Sequence, residues 1–182
     1  MSAEILATGV KESENKSLAP ASSRGQFLRL HLGGETVSLL PAEQVMQVLT
    51  VATELVVPMP HMASWIMGAY NHRGEILLLA DLSHLMGLGL ISQQARSVAN
   101  YTTIVVQVGP ENAANRLLGL VVDQVKRTEQ CELNSIQAAT AEGNSEMGQL
   151  LQGYCSPSAS EVLPVVDLEL VWQKIVEDPI SG

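Results

Sequence analysis

The candidate chemistry of this 182-residue chain rests on four histidines, two cysteines and a few strand-end carboxylates. His31, His61, His72 and His84 show no H-x-x-x-H spacing, and Cys131 and Cys155 form no C-x-x-C, so no local ligand set for a metal exists. Each cysteine falls in or beside a predicted strand without a neighbouring base and reads as a small apolar filler, not a nucleophile. Asp81, Asp123 and Asp167 each follow an aliphatic run. Paired carboxylates there would suit acid–base or metal chemistry. Helical spacing follows Asp81 and Asp167, however, so helix capping is the better reading of those two. Gly33-Gly34 lacks the spacing and the lysine of a phosphate cradle, and no G-x-S-x-G elbow occurs. The chain therefore reads as non-enzymatic, with no cofactor and no metal. Arg73 is the residue that stands out. It occupies a predicted turn, Asn71-His72-Arg73-Gly74, and offers a planar fork for a carboxylate or a backbone carbonyl. That is recognition chemistry.

Composition narrows the partners. A formal net charge of −9 repels a phosphate backbone and an anionic membrane surface alike. Two Trp, three Tyr and one Phe give no stacking platform for bases. No apolar run reaches the roughly 18–20 residues that span a bilayer, so direct membrane insertion is not expected. The N-terminus has no basic region followed by an apolar one, and two cysteines do not make a disulfide framework. A cytosolic location fits best.

The elements that must position Arg73 follow from patterning. Residues 1–25 lack periodicity and read as a mobile tail. Phe27–Leu32 and Thr36–Leu40 flank Gly33-Gly34 as a hairpin. Pro41–Val48 reads as a short helix with Pro in its first turn, followed by extended residues to Val57. Strands are expected at Trp65–Tyr70 and Glu75–Ala80, on either side of the Arg73 turn. Asp81 then caps a helix carrying Leu82, Leu85 and Met86, which Gly87 ends. Residues 89–101 connect two halves. Strands follow at 102–108, 116–122 and 123–133, then a polar loop at 134–148 and a hairpin from Leu150–Tyr154 and Val162–Val166. The closing Val165-Val166-Asp167-Leu168 repeats the strand, Asp, helix order of the first half, as two halves built alike would. Many short strands with turns between them define a mainly β fold.

The ordered segments resemble CheW-like domains. Pro58-x-Pro60, Trp65–Ile76, Leu79-Ala80-Asp81-Leu82 and Leu85-Met86-Gly87 follow the pattern W-I-x-G-V-x-N-L-R-G-x-I-x-P-V-x-D-L-x-x-x-L-G. Phe27–Val48 is similar to the family's opening hairpin and helix. Leu118–Val125 resembles its G-L-V-V-D segment, and Leu163–Leu168 its closing strand and helix. The resemblance runs over about residues 26–176.

It implies two five-stranded SH3-like β-barrels on a shared hydrophobic core, with short helices including one at the C-terminus, over residues 26–178. It implies a scaffold that couples methyl-accepting chemoreceptors to a CheA-type histidine kinase, monomeric alone and able to join arrays or rings, held in the cytoplasm at membrane receptor arrays. The receptor's helical tip would meet Val45, Gln47, Asn71, Arg73 and Thr103, with Gly74 and Gly119 as backbone requirements. The length leaves no room for a receiver domain, so a stand-alone adaptor is expected. Three positions depart from the pattern: Gln47 replaces a Glu that commonly pairs with the arginine, His72 an apolar residue and Leu78 a proline. Gln47 would then make at best a neutral hydrogen bond to Arg73. These departures point toward a variant pathway, such as twitching or phototaxis. The rival reading is a β-barrel enzyme, metal protein or ligand-binding protein using His72, His84 and the strand-end Asp residues.

Overall fold

Eleven strands and two helices account for most of the described residues in a computed structural model, which describes residues 23–89, 99–108, 117–139, 145–158 and 160–180. The strands of the first half are β1 (Arg24–Leu32), β2 (Thr36–Pro41), β3 (Val45–Ala52), β4 (Ile66–His72) and β5 (Glu75–Asp81), followed by helix α1 (Leu82–Leu85). The second half comprises β6 (Asn100–Gln107), β7 (Leu117–Val122), β8 (Gln124–Glu132), β9 (Gln137–Ala138), β10 (Leu151–Ser158), β11 (Glu161–Val166) and helix α2 (Leu168–Glu177). Both expected caps form: Asp81 Oδ1 accepts from the His84 N–H at 3.0 Å, and Asp167 Oδ1 from those of Glu169 and Leu170. Gly87, at φ +74, ends α1.

Three local expectations are corrected. The helix expected over Pro41–Val48 is a single 3₁₀ turn at Ala42–Gln44, after which Val45 already begins β3. The β-branched residues of Val45–Ala52 pair with β6 over their whole length, and this pairing overrides the Pro-initiated helix signal. Strand β1 opens at Arg24, inside the expected tail; residues 1–22 lie outside the described residues, as do most of the connection at 89–101 and the turn expected at 109–115. The expected loop at 134–148 contains β9 and ends in a 3₁₀ turn at Gly148–Leu150.

The strands form two sheets, ordered β3-β6-β7-β5-β4 and β8-β1-β2-β11-β10-β9. Hairpin β1–β2 belongs to the first half of the chain but lies among strands of the second, and hairpin β6–β7 does the reverse. Each visiting hairpin pairs antiparallel on one side, β6 with β3 and β1 with β8. On the other side each pairs parallel, β7 with β5 and β2 with β11. The registers match residue by residue: Val48 faces Ile104 as Thr128 faces Leu28, and Leu79 faces Gly119 as Val165 faces Leu39. The short echo of strand, Asp and helix in the sequence is thus the visible part of a repeat that spans the fold.

Each sheet curls shut in the same way. After β3 a 3₁₀ turn (Thr53–Leu55) carries the chain to Val57, which exchanges two 2.8 Å backbone hydrogen bonds with Ala69 of β4. After β8 a 3₁₀ turn (Leu133–Ser135) carries it to β9, where Gln137 pairs with Tyr154 of β10. Both closures need a glycine beside them. A Cβ on Gly68 would lie 2.3 Å from the Val57 carbonyl oxygen, and one on Gly153 2.2 Å from that of Gln137. Each barrel has its own interior: Val51, Leu77, Leu79, Val105 and Val121 in the first, Phe27, Leu39, Leu163 and Val165 in the second. The opposite strand faces build one shared core with Leu30, Leu40, Ile104, Leu118, Leu120 and Val166, over which α2 lays Leu168, Val171 and Ile175.

The cysteines are not independent fillers. Cys131 of β8 and Cys155 of β10 are joined as a disulfide inside the second barrel, across the seam that β9 closes. Their separation of 24 residues gave no motif, because the barrel's closure and not the chain brings them together.

Two tests follow. Gly153→Ala and Gly68→Ala should each cost about 1–3 kcal/mol in urea unfolding, because a backbone carbonyl cannot yield as a side chain can. A loop of 24 residues closed by the disulfide should make reduction cost about 3 kcal/mol in the chain-entropy model, read from unfolding with and without reductant. An unchanged midpoint would show that packing alone holds the seam.

Candidate functional site

The turn that carries Arg73 is tighter than expected. Strand β4 runs through His72 and β5 starts at Glu75, so only Arg73 and Gly74 form the loop. Both have positive φ, +54 and +91, the geometry whose twist matches a two-residue hairpin. Asn71 helps to hold it, its Oδ1 accepting from the Gly74 N–H at 2.9 Å. Glycine suits this backbone at position 74; arginine at position 73 costs about 1–2 kcal/mol there. Among the described residues, the exposed Arg73 makes no hydrogen bond or ion pair. A strained, exposed, unpartnered cation at a hairpin tip has little reason to exist for folding.

Gln47 does not reach Arg73. Its Nε2 lies 2.5 Å from Nε2 of His72, so the hydrogen bond expected with Arg73 is replaced by one with the neighbouring residue. Two of the three departures from the family pattern therefore meet each other across the first barrel's seam. Beside them is an open cavity of about 430 Å³ lined by Met46, Gln47, His72, Arg73, Glu75, Val105 and Leu117. It is the mouth of the first barrel: Glu75 continues the inward series Leu79, Leu77 along β5, and Val105 and Leu117 belong to the barrel interior.

The other expected residues fall in different places. Val45 and Asn71 lie on β3 and β4 near this mouth, Val45 half-buried and Asn71 exposed. Thr103 is corrected: it is fully buried on the inward side of β6 and offers a partner no surface. Its γ-methyl lies 3.1 Å from where a Gly119 Cβ would stand, and Leu79 Cδ2 only 2.4 Å, so Gly119 is required by close packing. His84 shares a 2.7 Å hydrogen bond with Ser64, while Asp81 is almost wholly buried as a cap. Burial raises the carboxyl of Asp123, with a further push from the charge of Asp81 that His31 offsets in part. Among the described residues no group of three or more His, Cys, Asp or Glu side chains is placed to hold a metal ion.

Sequence reasoning missed a second polar cluster, at the mouth of the other barrel. Arg29 bonds Glu161 through both terminal nitrogens, at 2.5 and 3.0 Å, and Glu129 at 3.3 Å; Arg127 joins Glu129 at 2.7 Å. The side chain of Arg29 is 14% exposed. The signal was faint, since the four charges come from three strands that are distant in the chain.

The whole arrangement defines a paired-barrel recognition domain. The CheW-like domain model matches residues 26–176. The chain belongs to the CheW-like domain family. Among solved structures, it is similar to the scaffolding protein TtCheW from Thermoanaerobacter tengcongensis, at 19% identity and a TM-score of 0.66, over 82% of this chain and 92% of that one. No curated protein sequence matches significantly.

The Arg29–Glu161 pair carries a pH signature. The guanidinium's hydrogen bonds hold the Glu161 carboxyl below the usual carboxylate range. Its stabilisation is therefore complete above the unfolded-state value and fades as acid protonates the folded carboxylate. Unfolding midpoints taken between about pH 6 and pH 3 should fall more steeply for the native chain than for Glu161→Gln. Parallel curves would show that the pair adds nothing.

Proposed function

We propose that this protein is a non-enzymatic scaffold coupling a chemoreceptor of the methyl-accepting type to a CheA-type histidine kinase, in chemotaxis, phototaxis or twitching-motility signalling. Family membership supports the scaffold role. The observation that carries the receptor surface is Arg73: an exposed cation without a described partner, held in a left-handed conformation at the rim of an open barrel mouth. Val45, Gln47 and Asn71 complete the surface, and the receptor's helical tip is its occupant. Among the described residues no helix is long and apolar enough to cross a membrane. In this reading the protein acts in the cytoplasm at receptor arrays. There the reducing milieu favours two thiols at Cys131 and Cys155, and packing carries more of the seam.

The test is a pull-down of the purified protein against a CheA-type kinase and a receptor cytoplasmic fragment from the same cell. Binding to both is expected, with kinase activity changed only when all three are mixed. Arg73→Ala should weaken receptor binding at least tenfold with little loss of stability, and Arg73→Gly should do the same while gaining about 1 kcal/mol from relief of the left-handed strain. A large melting loss with unchanged binding per folded molecule would contradict this assignment of Arg73.

A further inference from the structure

The two barrel mouths are built on the same plan and finished differently, so each serves as a control for the other. The matched registers place Val105 where the second barrel has Arg29, Gln47 where it has Arg127, Leu49 where it has Glu129, and Glu75 where it has Glu161. In the second barrel the guanidinium of Arg29 bonds both carboxylates, beneath a cavity of about 360 Å³ lined by Arg29, His31, Lys126 and Arg127. In the first barrel three of the four charges are gone and one carboxylate remains. Glu75 is exposed and makes no hydrogen bond or ion pair among the described residues. Where the guanidinium would lie there is the open cavity over Val105.

We propose that the mouth of the first barrel is a socket for an arginine side chain presented by a protein partner, with the guanidinium over Val105 and bonded to Glu75. The second barrel supplies the template, an arginine forked onto the matching carboxylate. The rim selects what surrounds that arginine. Met46 lines the cavity and is 59% exposed, so the occupant carries an aliphatic group beside its cation, as an amphipathic helix does. Arg73 lines the same cavity and repels a uniformly basic segment. It favours one with a carboxylate next to its arginine. The proposal deepens the adaptor reading by stating the partner's chemistry, but the socket itself can be tested without any receptor.

The test uses the full chain, with acetyl-arginine amide and its uncharged isostere acetyl-citrulline amide as probes, followed by NMR at the Gln47 side-chain amide and the Gly74 N–H. The expected result is a saturable shift with the arginine probe and none with the citrulline probe. Glu75→Gln should weaken the response at least tenfold. Val105→Arg, which supplies the plug internally, should abolish it. If Val105→Arg does not fold, Glu75→Gln and the probe pair still decide the matter. Equal shifts from both probes, or full binding by Glu75→Gln, would overturn the socket. In a parallel arm, a receptor fragment that binds native protein and Glu75→Gln equally would also overturn it. A fragment that binds no form of the protein would count against the adaptor reading alone, with the arginine probe still judging the socket.

Discussion

Everything in this fold depends on an exchange of hairpins. The first hairpin of each half is built into the barrel of the other, held by an antiparallel partner on one side and a parallel one on the other. A parallel pairing cannot be made by a tight turn, so it ties together parts of the chain that are far apart. Neither barrel can close from its own half alone. The shared core follows directly, because the two faces of each exchanged hairpin serve different interiors. Ile104, Leu118 and Leu120 turn to the common core, while Val105 and Val121 turn into the first barrel. Strands β6 and β7 are thus apolar on both faces, and the run Leu117–Val122 reads as it does for that reason.

This constraint explains which features were legible in the sequence. Local chemistry was readable where local structure decides the outcome. The Asp81 and Asp167 caps, the Gly87 stop and the Arg73-Gly74 turn each depend on a few consecutive residues, and each stands where patterning put it. The family motifs carried the paired-barrel architecture, which periodicity alone would have left as one of several β folds. The failures lie where distant strands meet. Val45–Val48 looked helical behind Pro41 and became strand because β6 lies beside it. Cys131 and Cys155 looked like isolated fillers because only barrel closure joins them. Thr103 looked available because sequence does not say which face of a doubly buried strand a residue takes.

The repeat also changes how the charged residues are understood. Taken singly, Arg29 and Glu161 are an ordinary cross-sheet ion pair, and Glu75 is an exposed acid beside a turn. Taken as matched positions of one design, they become a comparison. In one mouth a guanidinium bridges strands, and the other keeps a carboxylate and loses the cation. The same comparison separates the seams: a disulfide lies between β8 and β10, where the matching positions of the first barrel are Val51 and Tyr70, packed around the same interior. The second barrel is therefore the one whose seam carries a cysteine pair and whose mouth carries ionic bonds. The first is left with aliphatic packing and a Gln47–His72 hydrogen bond at its edge.

That asymmetry agrees with where a recognition surface can be tolerated. In the second mouth a cation could reach the carboxylates only by breaking their hydrogen bonds to Arg29, and such bonds are roughly twice as strong as neutral ones. A mouth floored by Val105 and Leu117 has no such barrier. Gln47 and His72 narrow it from one side, and Arg73 and Glu75 line the same cavity. Gln47 bonds His72, so these two departures from the motif act together, and the exposed Arg73 beside them makes no ion pair among the described residues. In the proposed reading, a partner's charges complete this rim.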